Sequence, residues 1–132
     1  MLLVDTNVLV DVLQDDPQWS DWSIRQLRAQ AAVNELAINP IIYAEMSLSF
    51  STLEALDKIV TTMALVLREI PRPALFLAGK AFAQYRQRGG NKARVLPDFL
   101  IGAHAAVEGW PLLTRDASRF RTYFPQLHVL AP

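Results

Sequence analysis

Four acidic residues stand where a chain could do chemistry: Asp5, Glu45, Asp98 and Asp116. Asp5 directly follows the apolar run Leu2-Leu3-Val4, and Asp116 follows Leu112-Leu113-Thr114 by two residues. If both runs are parallel strands, both acids fall at the carboxyl edge of the sheet, where open α/β sheets bind ligands. Taken singly, each is equally well a turn or cap residue, for which Asp is in constant use. The other two acids add weight. Glu45, in a helix begun by Pro40, shares a stripe with Ile41, Ile42 and Leu48. A carboxylate on an apolar stripe is costly unless an arginine or a site partner holds it. Asp98 shares a helix face with Ile101, Gly102 and Ala105. The helix dipole favours an acid just after Pro97, but does not explain its place on the packing face. The small residues there predict a close approach of that helix to the sheet.

Four carboxylates drawn together raise one another's pKa, and a divalent cation removes the conflict. Mg²⁺ and Mn²⁺ are hard ions held by a few carboxylates plus water. Such a site activates a water and stabilises charge building on a phosphoryl group. No other cluster offers comparable chemistry. There are two histidines far apart, no cysteine, no serine elbow and no glycine-rich phosphate loop.

The acids must be positioned by short elements. The pattern predicts strands at Leu2–Val4, Leu36–Ile38, Leu67–Ile70, Pro111–Thr114 and Leu127–Leu130. Helices are expected from Asn7 to Leu13 with Thr6 or Asn7 near the cap, from Asp21 as cap to about Gln30, and after Asn39-Pro40. Further helices are expected from Thr52 to about Leu67, from Pro73 to Arg88 before Gly89-Gly90, from Pro97 to Glu108 before Gly109, and from Ala117 to Phe120. Strands alternating with helices imply an α/β fold with a central parallel sheet covered on both faces. The 132 residues, without repeat or long linker, read as one domain over 1–132.

Composition narrows the function classes. Hydrophobic residues make up 52% and charged residues 20%, which excludes a disordered tail. The absence of cysteine excludes a disulfide framework and thiolate zinc sites, and fits the cytoplasm. Met1 to Asp5 is not expected to be a signal peptide, and no apolar run suits a membrane span. The formal net charge is zero, whereas nucleic-acid binders are usually basic. If RNA is the substrate, metal ions and local basic patches must offset its phosphates.

The motifs carrying these acids resemble those of PIN domains. Val4-Asp5-Thr6-Asn7-Val8-Leu9 is similar to the amino-terminal motif and Tyr43-Ala44-Glu45 to the second acidic motif. Pro97-Asp98-Phe99-Leu100-Ile101-Gly102-Ala103 is similar to the third. Leu113-Thr114-Arg115-Asp116, followed by Arg119-Phe120 and Tyr123-Phe124-Pro125, is similar to the last. The short chain further resembles the VapC toxins of toxin–antitoxin pairs. The resemblance implies a three-layer sandwich with a mostly parallel central sheet and an acidic pocket binding Mg²⁺ or Mn²⁺. It implies endonucleolytic hydrolysis of RNA, a homodimer, and a cognate antitoxin that blocks the pocket. By position it implies Asp5 and Asp98 as chief direct ligands, with Glu45 and Asp116 direct or water-mediated. Asn7 and Thr114 would hydrogen-bond the cluster.

Other features carry two readings each. Arg86, Arg88, Lys92 and Arg94 either guide phosphates toward Asp98 or form a solvated helix end. Arg115, Arg119 and Arg121 bracket Asp116 and could neutralise the pocket, contact RNA or form a structural ion pair. Asp11 is expected near the pocket rim, Asp15 and Asp16 in a loop, and His104 as a packed or surface residue. Trp19 and Trp22 suit burial in an interface, or base stacking. The apolar helical stretch from Thr52 to Leu67 suits a partner helix. Rival functions are an inactive PIN-like scaffold, an aspartate-nucleophile phosphohydrolase, for which Asn7 replaces the usual second acid, and a nuclease acting on DNA.

Overall fold

The computed structural model describes residues 1–132, apart from the side chain of Ala93. Five short strands form one sheet: β1 (Leu2–Val4), β2 (Leu36–Ile38), β3 (Leu65–Leu67), β4 (Leu112–Leu113) and β5 (Val129–Leu130). Their order is β3-β2-β1-β4-β5 and every pairing is parallel. Parallel neighbours need crossovers, and helices supply them: α1 (Thr6–Leu13), α2 (Ser20–Ala31), α3 (Pro40–Met46), α4 (Leu53–Thr62), α5 (Arg72–Gln87), α6 (Leu96–Glu108) and α7 (Ser118–Tyr123). No helix among the described residues is long and apolar enough to cross a membrane.

β1 is the centre of the sheet, with Leu3 in register with Ala37 on one side and Leu112 on the other. Successive strand residues face opposite sides. Leu2, Leu3 and Val4 are all fully buried, so both faces of the centre are covered. The chain winds outward from β1 through β2 to β3, then returns to the other side of β1 with β4. The strand order therefore reverses between β1 and β4, and a crevice opens there beyond their carboxyl ends.

Several local expectations needed correction. The α1 cap is Asp5, whose Oδ1 accepts from Thr6 N–H at 2.7 Å, rather than Thr6 or Asn7. Asp21 caps nothing: α2 begins at Ser20, and Asp16 Oδ1 takes the Gln18 and Trp19 N–H groups. The helix from Thr52 stops at Thr62. Ala64 turns the chain at φ 53, so that residues 65–67 pair with Leu36–Ile38 and β3 lies where helix was expected. α3 ends at Met46, which leaves Leu48 88% exposed and places Met46, not Leu48, beside Ile42 in the core.

The close approach expected around Asp98 is present, but against a different element. A Cβ at Gly102 would lie 2.5 Å from Phe124 Cε2 and 2.9 Å from Phe120 Cδ1, so α6 nests on the aromatic residues of the α7 region. α6 also packs along α5 and touches α3. Its contact with α3 is fastened by a buried pair. Asn39 Oδ1 accepts the Ile42 N–H at 3.0 Å, so its amide nitrogen faces His104 Nδ1 at 3.1 Å. An amide NH₂ only donates, which makes Nδ1 the acceptor and places the imidazole proton on Nε2. His104 is thus a core histidine, and burial pushes its pKa down; Glu108 opposes the shift and Arg68 adds to it.

Candidate active site

Asp5 comes straight off the central strand. Its backbone N–H donates to Leu113 O at 2.8 Å, which draws it against the end of β4. Its side chain is only 5% exposed, with Oδ1 on Thr6 N–H and Oδ2 accepting the Thr114 hydroxyl at 2.8 Å. Each carboxylate oxygen keeps a second lone pair. Burial pushes the Asp5 carboxyl up to about 7; the Thr114 and Thr6 hydrogen bonds oppose this, while Asp98 and Glu45 add to it by repulsion. A carboxylate this buried and this close to like charge calls for a cation.

Glu45 stands on the last turn of α3, partly buried. The partner it needs is Thr6, whose hydroxyl donates to Oε1 at 2.6 Å. Asp98 lies in the first turn of α6 and is also shifted upward, chiefly by burial. Its pair with Arg119 lowers it, and Asp116 raises it. Arg119 Nη1 donates to Asp98 Oδ2 at 2.6 Å, with the two side chains 30% and 35% exposed. Asp116 is exposed beyond β4, its backbone N–H held by Thr114 Oγ1 at 3.1 Å. The four acids border the β1/β4 crevice, Asp5 near enough to feel Asp98 and Glu45, and Asp98 near enough to feel Asp116.

Asn7 and Thr114 stand beside this cluster. Asn7 Nδ2 donates to Thr114 Oγ1 at 3.4 Å, and its Oδ1 accepts the Arg115 N–H at 3.2 Å. Asn7 thus ties the start of α1 to the segment that carries Asp116.

The donor set fits a hard divalent cation in kind: carboxylate oxygens at a strand-order switch, one buried and driven toward neutrality. Among the described residues, no three acidic or histidine side chains form a group that could hold an ion as they stand. Arg119 supplies positive charge to Asp98 in that arrangement.

The remaining candidates fall outside the cluster. Asp11 is 3% exposed and gripped by Arg115 through Nε at 2.8 Å and Nη2 at 3.1 Å, with Ser23 donating at 3.2 Å. That guanidinium lies 5.4 Å from the Trp19 ring centroid, and Trp19 meets Trp22 edge to face. Trp19 thus backs the Arg115–Asp11 pair, and both tryptophans stay partly exposed. Near Asp98, Arg88 covers Tyr123 at 5.2 Å, Arg119 covers Tyr85 at 6.0 Å and Arg86 covers Phe82 at 5.9 Å. These rings form one aromatic cluster around Phe99. Thr6 was missed by sequence reasoning. Its signal was a hydroxyl next to Asp5, but its partner is 39 positions away.

The all-parallel five-stranded sheet with its helices is a PIN-like α/β fold, and the family model for the PIN domain matches residues 2–124. The chain belongs to the PIN domain family, whose members are generally nucleases that typically use divalent metals. Among solved structures it is similar to VapBC2 from Rickettsia felis bound to a promoter DNA fragment, with TM-score 0.75, 21% identity, and 99% of this chain and 98% of that chain covered. It is also similar to the DNA-bound VapBC from Salmonella typhimurium, with TM-score 0.72, 19% identity, and 99% and 98% covered. A toxin–antitoxin complex from Klebsiella pneumoniae aligns with TM-score 0.67, 20% identity, and 98% and 96% covered. No curated protein matches the chain in sequence.

Proposed function

We propose that this chain is a Mg²⁺- or Mn²⁺-dependent endoribonuclease, formed as one domain over residues 1–132 and acting as the toxin of a VapBC-type toxin–antitoxin pair. The reading is supported chiefly by buried Asp5 at the end of β1, raised in pKa and repelled by Asp98 and Glu45, with Asp116 acting on Asp98 in turn. Asp5 and Asp98 would be the chief ligands and Glu45 and Asp116 direct or water-mediated ones. A bound ion supplies an acidified water and positive charge against the scissile phosphodiester. The chain's own residues do the positioning. Thr6 holds Glu45, Thr114 orients Asp5, and Asn7 holds Thr114 and the backbone leading to Asp116. Glu45 or Asp116 would orient the attacking water, and a bound cation would keep buried Asp5 ionised at neutral pH.

The antitoxin reading draws on the toxin–antitoxin assemblies among the similar structures and on apolar surface left bare beside α3 and α4. There Leu48 is 88% and Leu53 61% exposed, next to a cleft lined by Tyr43, Phe50 and Leu56. A homodimer in the cytoplasm completes the proposal. The test is cleavage of synthetic single-stranded RNA by the purified chain in Mn²⁺, compared with Asp5→Asn. Metal-dependent internal cleavage that disappears in the variant is expected. Cleavage of DNA in preference to RNA would redirect the substrate, and full activity of the variant would refute the site.

A further inference from the structure

Arg119 stands out because it occupies the place of a cation. Among the described residues it is the one basic side chain within ion-pair distance of the four clustered acids. It reaches Asp98 through a single prong at 2.6 Å, with both partners about one-third exposed. Pairs this open to solvent, joined through one nitrogen, are held weakly. The guanidinium has a second support, the face of Tyr85 at 6.0 Å, on which it can rest without Asp98. It rides on α7, a helix of six residues in the same segment as Asp116.

We infer that Arg119 is a built-in counter-ion, a positioning residue that holds Asp98 in the metal-free protein and must give way before a divalent cation binds. This rests on the metal-dependent reading above. Arg119 keeps the crevice from flying apart when empty, and for the same reason competes with the incoming ion. Its removal therefore has two effects of opposite sign. The metal-free protein loses stability, while the cation binds more tightly.

The test uses Mn²⁺ itself, with affinity read by calorimetry or the loss of free-ion EPR signal, and melting temperature read in EDTA. Arg119→Met is expected to bind Mn²⁺ roughly three- to tenfold more tightly than wild type. Its metal-free melting temperature should fall by about 2–4 °C. A merely structural arginine would lower stability without tightening the ion. If the variant binds Mn²⁺ as wild type does, or more weakly, the inference is overturned and the metal site stands. If wild type holds Mn²⁺ no better than Asp98→Asn, the metal reading fails and the inference falls with it. Should Arg119→Met not fold by circular dichroism, Arg119→Gln, which keeps a polar stem without the charge, takes its place: tighter Mn²⁺ binding supports the inference and unchanged or weaker binding overturns it.

Discussion

Arg115 and Arg119 stand four residues apart, and each meets an aspartate, yet the two pairs are built differently. Arg115 grips Asp11 with two nitrogens, its guanidinium is backed by the Trp19 ring, and Ser23 adds a third donor to a carboxylate only 3% exposed. Forked pairs with a buried carboxylate are strong and specific in geometry, even though the Arg115 side chain is itself 32% exposed. Arg119 touches Asp98 with one nitrogen across a half-open surface, inside a crowd of like charges. The first pair is a fastening that locks the segment after β4 onto α1. The second is an exchangeable contact. The charge of a residue thus says little about its role; burial and the number of prongs decide whether it braces or yields.

The comparison is broken most severely at Asp5, the buried acid repelled by the Asp98 that the second pair holds. Asp5→Asn is expected to lower Mn²⁺-dependent RNA cleavage by at least about a hundredfold, since even supporting groups around a metal cost 10–100-fold. The measurement is initial rate at saturating Mn²⁺. The same variant changes the response to pH. Burial raises Asp5 in the folded state from 3.8 to about 7, so the fold holds that proton more tightly than the unfolded chain does. The resulting stability is fully present below pH 3.8 and is lost as pH rises through 7. In EDTA, Asp5→Asn should therefore match wild type near pH 4 and exceed it at pH 8, by up to about 4 kcal/mol. Urea unfolding at both pH values gives the difference, and equal curves would show that Asp5 carries no trapped charge.

Next in size, Arg115→Met leaves a buried carboxylate without its partner and should cost roughly 2–4 kcal/mol. Urea unfolding with an unchanged slope checks this, and a loss below that of Arg119→Met would invert the comparison. Gly102→Ala follows, because its methyl must displace Phe124 or Phe120; about 1–3 kcal/mol is expected, read as a lower melting temperature. Arg119→Met is the smallest, at most about 1 kcal/mol in the metal-free protein.

Much of this was legible in the chain. Asp5 after an apolar run and Asp98 beside Pro97 announced themselves because strand ends and helix starts are local events, written in neighbouring residues. The parallel sheet followed from alternation of strands and helices. What stayed hidden was set at a distance. Residues 65–67 continue an apolar helical pattern, and only pairing with Leu36–Ile38 and the turn at Ala64 makes them a strand. Tertiary contact overrides propensity there. In the same way, three arginines bracket Asp116, and nothing in their spacing tells which one meets Asp98 and which meets Asp11. The link from Thr6 to Glu45 spans 39 positions and has no local trace.

The clasp between Asn39 and His104 has its own consequence. Asn39 is committed at its oxygen, so it can offer His104 only hydrogen. An imidazolium would present hydrogen in return, and two donors would face each other in the buried core. The lock therefore accepts one form of the key. Acid that titrates this ring is expected to loosen the seam between α3, which bears Glu45, and α6, which bears Asp98.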